Sequence, residues 1–287
     1  MRFSVLTLHA VPNQLKGVHI EETVERLSGY VAAQNVSCIC VQECQPGTAS
    51  VAGTAGSVPE ASVASRLSAR LTELGLKYGL FGTSSTSGSH DKAGCAILGQ
   101  LPTLSATDAR HFSFGRCGCA GDSPCSIVTR FAAAPAILID VYTTSISPEP
   151  DGGAAQVAAL REFIALSDGE LSKKPQEARR RGRPPRVRQL GAGAQSVRIV
   201  LLAGAMPGNP DGPVATALRA DGFADASRIV RDSMSDSQGR TAGTWNGAVD
   251  SVYIRPGLRP TNGAMRLPAF AGDDTPGSEG LLVEFEV

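Results

Sequence analysis

The chain contains no apolar run approaching the roughly 20 residues that a bilayer-spanning helix needs, so no membrane span is expected of it. It also lacks the marks of a leader. Met1-Arg2-Phe3-Ser4-Val5-Leu6-Thr7-Leu8 has neither a long apolar core nor a small-residue cleavage site, and reads instead as a first strand. Secretion is therefore not expected. There is no net charge either, with 27 Lys and Arg against 27 Asp and Glu, so charge matters here only through its distribution. No paired Cys-x-x-Cys and no internal repeat occur. The seven cysteines are odd in number, and Cys38, Cys40 and Cys44 alternate along one stretch. That pattern suits reduced, buried thiols in an intracellular compartment better than a disulfide framework, and it points to no particular organelle. The single tryptophan, Trp245, precedes a β-like run and is read as core or rim packing and not as a base-stacking platform.

What is present is ordinary for a soluble globular chain: 42% hydrophobic residues and 19% charged ones over a length of 287, enough for a large core. The charge is uneven. Lys173, Lys174, Arg179, Arg180, Arg181, Arg183, Arg186 and Arg188 stand against Glu177 alone, a segment of net +7 that leaves −7 on the remainder. One basic segment, spanning about 168–195, is thus expected to hang as a loop on an acidic body.

Periodicity supplies the elements. Ile20, Val24, Leu27 and Val31 recur at helical spacing and lead into the apolar run Val36–Glu43. Pro59 is expected to open a second helix with the stripe Val63, Leu67, Leu71 and Leu74, closed by Gly75. Short β-like runs follow at Tyr78–Phe81, Cys95–Leu98, Ser126–Phe131 and Ala136–Thr144, then a helix over Ala154–Leu166. A strand at Val197–Leu202, a short helix at Pro213–Ala220 stopped by Gly222, and strands at Val249–Ile254 and Leu281–Val287 complete the set. Strands sometimes follow helices and sometimes each other, which predicts an α/β or α+β layered fold with at least two sheets and no simple βαβ repeat.

The run Cys38-Ile39-Cys40-Val41-Gln42-Glu43 ends its apolar stretch on a carboxylate. A core strand ending so presents that group at the mouth of a sheet. Several stretches, taken in order, resemble the endonuclease/exonuclease/phosphatase superfamily, whose fold is that of deoxyribonuclease I. Thr7-Leu8-His9 is similar to its first-strand Thr-x-Asn, Val41-Gln42-Glu43 to its Leu-Gln-Glu, and Gly94 to Pro102 to its Gly-x-Ala-Ile-Leu-Ser-Arg-x-Pro. Val141-Tyr142-Thr143-Thr144-Ser145 stands for a strand ending Asn-Thr-His, with Gln156 in the helix after it. Leu202-Ala203-Gly204-Ala205-Met206-Pro207 stands for Gly-Asp-x-Asn, Gly222-Phe223-Ala224-Asp225-Ala226 for Gly-Phe-x-Asp-Ala, Val249 to Ile254 for Ile-Asp-x-Ile, and Ser278-Glu279-Gly280 for a terminal Ser-Asp-His. The resemblance covers nearly the whole chain and implies one DNase-I-like domain over 1–287. It would be a four-layer α/β/β/α sandwich of two mixed β-sheets, with the site at the strand ends between the sheets.

It also implies a chemistry. Phosphoester hydrolysis in that superfamily requires Mg²⁺ or Mn²⁺, a group to orient water, and donors to the phosphate. Glu43 matches the metal carboxylate. The other matching positions are His9 for Asn, Ser145 for His, Ala205 and Pro207 for Asp and Asn, and Glu279 and Gly280 for Asp and His. Asp250 is kept, but its role in the superfamily is to hold the imidazole that Gly280 replaces. A missing acid-base group lowers a rate by roughly 10² to 10⁴, and a missing charge-stabilising donor by about 10² to 10³. No intact catalytic set is expected, Glu43 is read as the remnant of a metal position, and no cofactor is expected unless the chain is active. The chain is read as a catalytically degenerate member acting as a binding or structural module, with protein partners or a larger assembly. The alternative is an active, divalent-metal-dependent phosphoesterase with a rearranged site, for which His9, Glu43, Asp250 and Glu279 are the available ligands.

Two further patterns carry charge or thiols. Arg180-Arg181-Gly182-Arg183-Pro184-Pro185-Arg186, followed by Arg188, resembles the AT-hook, whose arginines lie in the minor groove of A/T-rich DNA. The same composition fits a solvated basic insertion that contacts an acidic protein or RNA surface, so nucleic acid is one of its possible partners. Cys117, Cys119, Cys125 and His111 could be zinc ligands, but the spacing lacks a metal-binding pair, and unligated thiols on a glycine-rich loop are the simpler reading.

Overall fold

Alternation along the first strand already requires layers on both of its sides. In β1 (Arg2–His9), Phe3 and Val5 belong to one buried cluster while Leu6 and Leu8 belong to another. Successive side chains of a strand point to opposite faces, so both faces of β1 are covered. The computed structural model describes residues 2–9, 18–44, 63–82, 94–101, 105–113, 125–134, 137–146, 150–172, 197–206, 212–226, 229, 250–255, 259–266 and 281–286.

After β1 come α1 (Val18–Gln34), β2 (Cys38–Cys44), α2 (Val63–Glu73), β3 (Lys77–Gly82), β4 (Gly94–Leu101), β5 (Ser105–Ser113), β6 (Cys125–Ala134) and β7 (Ile137–Ser145). Then follow α3 (Pro150–Ser172), β8 (Val197–Ala205), α4 (Pro213–Ala220), β9 (Ala224–Asp225), β10 (Asp250–Ile254), β11 (Arg259–Arg266) and β12 (Leu281–Glu286). Among the described residues the strands form two mixed six-stranded sheets. The first has the order β11-β12-β1-β2-β4-β3 and the second β5-β6-β7-β8-β10-β9. Each has one central parallel pair, β1 with β2 and β7 with β8, flanked by antiparallel neighbours.

The core lies in three slabs. Between the sheets sit Phe3, Val5, Cys38, Cys40, Phe81 and Ile97 against Ile127, Phe131, Ile139, Val141, Leu201 and Val252. On the outer face of the first sheet, Leu6, Leu8, Ile39 and Val41 meet Val24, Leu27 and Val31 of α1 and Leu67 and Leu71 of α2. On the outer face of the second, Tyr142, Val200 and Leu202 meet Leu160 and Phe163 of α3 and Leu218 of α4. The expected four-layer α/β/β/α arrangement is therefore what forms.

Local signals end the helices where the sequence has them. Gly75 (φ +78°) and Gly222 (φ +81°) take the left-handed conformation. The next residue then donates back into the last turn, Leu76 N–H to the Leu71 carbonyl at 2.9 Å and Phe223 N–H to Leu218 at 3.0 Å. Asn35 does the same for α1 at φ +50°. Where the sheets face one another, Gly99 leaves the space that the Phe131 ring fills, since a Cβ there would stand 2.5 Å from the ring.

Several sequence expectations need adjusting. Leu74, read as the end of the α2 stripe, lies in the following turn and is 43% exposed, because the glycine reversal turns the chain away from the sheet. α3 runs on to Ser172, so the first residues of the segment read as a basic loop are its last turn. β5 and β11 had no apolar run to announce them. Both are edge strands, and β11 carries Pro260, which an edge tolerates. No described helix is long and apolar enough to cross a membrane. Pro59 and Trp245 lie outside the described residues.

β7 and β8 approach closely at Gly204, where a Cβ would collide with the carbonyl oxygen of Thr144 on the neighbouring backbone. Gly204→Ala should therefore destabilise the protein by about 1–3 kcal/mol, the range for overpacking a core, read as a lower urea midpoint with an unchanged slope. Burial also raises the phenol pKa of Tyr78, Tyr142 and Tyr253 above its ordinary value. Their stabilising contribution is complete below the unfolded-state pKa of roughly 10 and is lost as pH rises through the folded one. Thermal stability should hold up to about pH 10 and fall beyond it, with Tyr142→Phe flattening that fall.

Candidate functional site at the strand ends

At the carboxyl ends of the two parallel pairs, apolar side chains give way to a buried polar triad. Phe3, Val5 and Thr7 share one face of β1, Cys38, Cys40 and Gln42 one face of β2, and Ile139, Val141 and Thr143 one face of β7. The last residue of each series is polar and completely buried. The Gln42 amide donates to Thr143 Oγ1 at 2.7 Å and to Thr7 Oγ1 at 3.1 Å. Thr7 Oγ1 lies 3.3 Å from Gln42 Oε1, which accepts from it. Buried polar groups need such partners. One side chain thus joins the two sheets where the greasy slab ends.

Backbone register brings five of the sequence-picked positions to this end. His9 pairs with Gln42 across β1 and β2. Across the second sheet, Ser145 pairs with Ala205 and Ala205 with Asp250, so these three form one row over β7, β8 and β10. Between Val41 and Cys44 the pairing of β2 with β4 slips by one residue, a bulge that contains Gln42 and Glu43. Bulges re-aim side chains and gather near functional sites. The Gln42–Thr143 bond links the two groups, since Gln42 adjoins Glu43 and Thr143 lies two residues before Ser145. Ser145 is half-buried, and Ile146 and Met206 beyond the row are buried. Gln156, on α3, is completely buried.

Pro207, Glu279, Gly280, Cys117, Cys119 and the arginines 180, 181, 183, 186 and 188 lie outside the described residues. His111 and Cys125 fall on the adjacent strands β5 and β6, where His111 pairs with Ile127 and Ser113 with Cys125. Among the described residues no group of three or more His, Cys, Asp or Glu is placed to hold a metal ion. Cys38, Cys40 and Cys95 are free thiols in the inter-sheet slab, and burial pushes the Cys38 thiol pKa well up.

The opposite end of the second sheet carries a feature that sequence reading missed. Asp140 is fully buried and accepts from Arg130 at 2.6 and 2.8 Å and from Arg198 Nε at 2.5 Å. Arg198 also reaches Asp168 at 2.5 Å, and Arg255 reaches Asp168 at 3.3 Å while stacking over the Phe223 ring. Tyr142 hydroxyl completes the group through Ser167 at 2.7 Å. The signal was there as single charges inside apolar runs, Asp140 in Ile139-Asp140-Val141 and Arg130 in Thr129-Arg130-Phe131. A buried charge in a strand demands a partner, but the partners are up to 58 residues away for Asp140.

No family model and no curated protein matches the chain. Solved structures do. The human Nocturnin catalytic domain with bound sulfate anion is similar at 12% identity and TM-score 0.64, over 99% of this chain and 93% of that one. An endonuclease/exonuclease/phosphatase from Bacteroides vulgatus is similar at 11% identity and TM-score 0.63, over 100% and 99%. TDP2 from D. rerio, complexed with single strand DNA product, is similar at 12% and 0.57, over 100% and 99%. The chain has the fold of the endonuclease/exonuclease/phosphatase proteins.

If the Gln42 amide ties the sheets together, its loss should be felt on both. Gln42→Leu leaves two buried hydroxyls short of a partner and should cost about 2 kcal/mol of stability. In a double-mutant cycle with Thr143→Val, the coupling should be about 1 kcal/mol, and additivity in urea denaturation would show that the bond contributes nothing.

Proposed function

We propose that the chain has kept the phosphoesterase sandwich while its catalytic positions have been replaced, and that it works as a binding or structural module within a larger assembly. The row Ser145, Ala205 and Asp250 supports this reading most directly. It offers a hydroxyl, a methyl and one carboxylate where the resemblance calls for a histidine and two aspartates. Pro207 and Gly280 continue the losses in the sequence. Asp250 keeps a carboxylate whose role was to hold an imidazole, and Gly280 supplies none. Mg²⁺ takes near-octahedral oxygen ligands, commonly one or two carboxylates with water and substrate oxygens. Ala205 gives no donor, so the strand ends present a reduced set built on Glu43, and no reaction step is assigned through a metal.

A second reading, an active divalent-metal-dependent phosphoesterase with a rearranged site, is favoured by the β2 bulge that carries Glu43 opposite the His9 strand. Mg²⁺ or Mn²⁺ would then be held by Glu43 with His9, Asp250 or Glu279. The similarity to a TDP2 complexed with single strand DNA product adds nucleic acid to the partner classes, and the arginines 180, 181, 183, 186 and 188 provide the charge.

One assay separates the readings. The purified chain should not hydrolyse a generic phosphodiester or phosphomonoester in Mg²⁺ or Mn²⁺, and neither ion should shift its melting temperature. Site-specific metal binding at 100 times the dissociation constant would add about 2.7 kcal/mol, so a silent melting curve is informative. Turnover that is abolished by Glu43→Ala would overturn the first reading and establish the second.

A further inference from the structure

The inward stripe of α3 changes character along its length. Val157, Leu160, Phe163 and Ile164 recur at helical spacing and are buried in one cluster with Tyr142, Val200 and Leu202 of the second sheet. The next position on the same stripe, one turn on, is Ser167, and it too is buried. Leu166 beside it turns outward and is 50% exposed. Beyond Ile164, up to Asp168, the described side chains therefore meet the sheet through polar atoms. Ser167 Oγ lies 2.7 Å from the Phe163 carbonyl and 3.1 Å from that of Ile164 within its own helix, and 2.7 Å from the Tyr142 hydroxyl. Asp168 accepts from Arg198 Nη2 at 2.5 Å, from Arg255 Nη1 at 3.3 Å and from the Tyr142 hydroxyl at 3.3 Å.

The two kinds of contact differ in what opening costs. A buried apolar side chain that leaves its slab returns to water with nothing in exchange. A hydroxyl or a partly exposed carboxylate exchanges its protein partner for water, so its net contribution is small. Release of Asp168 also strands no buried charge. The fully buried Asp140 keeps Arg130 on both of its oxygens and Arg198 Nε on one of them, and both arginines come from strands of its own sheet. Removing the partners of a buried carboxylate is costly, and here they stay. The cluster thus has two tiers, a strand tier that persists and one carboxylate that a helix brings to it.

We propose that Ser167 and Asp168 are a releasable latch: α3 beyond Ile164 lifts from the second sheet as a unit of its own, while the part up to Ile164 stays docked. Local opening of this kind belongs to segments with few apolar contacts. The latch meets β7 at Tyr142, one residue before Thr143, whose hydroxyl on the other face of the strand bonds Gln42. β7 is gripped at successive residues from both sides, by the Gln42 bridge and by the end of α3, and only the second grip lets go. The latch is independent of the reading of the strand ends, since none of its residues lies in the row Ser145, Ala205 and Asp250.

Hydrogen exchange followed by mass spectrometry on the full chain tests it. Asp168→Asn keeps the size of the side chain and removes its charge. Exchange over residues 165–172 should speed up roughly three- to tenfold, with residues 157–164 unchanged. Leu160→Ala is the contrast and should speed exchange over both stretches. Raising NaCl on the wild-type chain from about 0.05 M to about 1 M screens the partly exposed pair and should act as Asp168→Asn does, so the result does not depend on how well that variant folds. An equal change over 157–164 would mean that the helix opens only as a whole, and no change over either stretch would mean that Asp168 holds nothing. Both overturn the proposal.

Discussion

The architecture depends on the slab between the two sheets being largely apolar along its length and ending in hydrogen-bonded polar groups. Phe3, Val5, Cys38 and Cys40 meet Phe131, Ile139, Val141 and Leu201, with the buried Thr129 between Ile127 and Phe131, before Thr7, Gln42 and Thr143 are reached. Hydrophobic contact has no preferred register, so two greasy sheets could slide over one another at little cost. A buried amide with two fixed hydroxyl partners cannot slide, because any displacement leaves it unsatisfied in a medium that offers nothing else. Gln42 thereby sets how the ends of β1 and β2 meet those of β7 and β8. His9, Glu43 and Ser145 lie within two residues of that triad along their strands.

The same constraint separates the strand-end row from the bridge. Ser145 lies two residues beyond Thr143, and it pairs with Ala205, which pairs with Asp250. The glycine before the row is different. Gly204 is held by the Thr144 backbone, so it is fixed by packing whether or not its neighbour is an aspartate.

Much of this was legible in the chain. The helix stripes of α1 and α2, the stops of α2 and α4 at Gly75 and Gly222, and the apolar strands β2, β7 and β8 all announce themselves locally, because burial on one or both faces leaves a periodic trace. β5 and β11 left none: an edge strand with a polar face has the composition of a loop. Thr7, Gln42 and Thr143 stood inside the matched motifs but gained a role only when the sheets were stacked, for Gln42 and Thr143 are 101 residues apart. The Asp140 group is harder still, since five residues from β6, β7, α3, β8 and the end of β10 meet only after α3 has packed.

The placement of three thiols has a kinetic meaning. Cys38, Cys40 and Cys95 are at most 2% exposed and line the face of one sheet that the other covers. A thiol reagent that needs the thiolate finds the Cys38 proton held by burial and the sulfur out of reach. Their modification therefore waits for the two sheets to part, and its rate in dilute reagent is a clock for that opening, read without any label added to the chain.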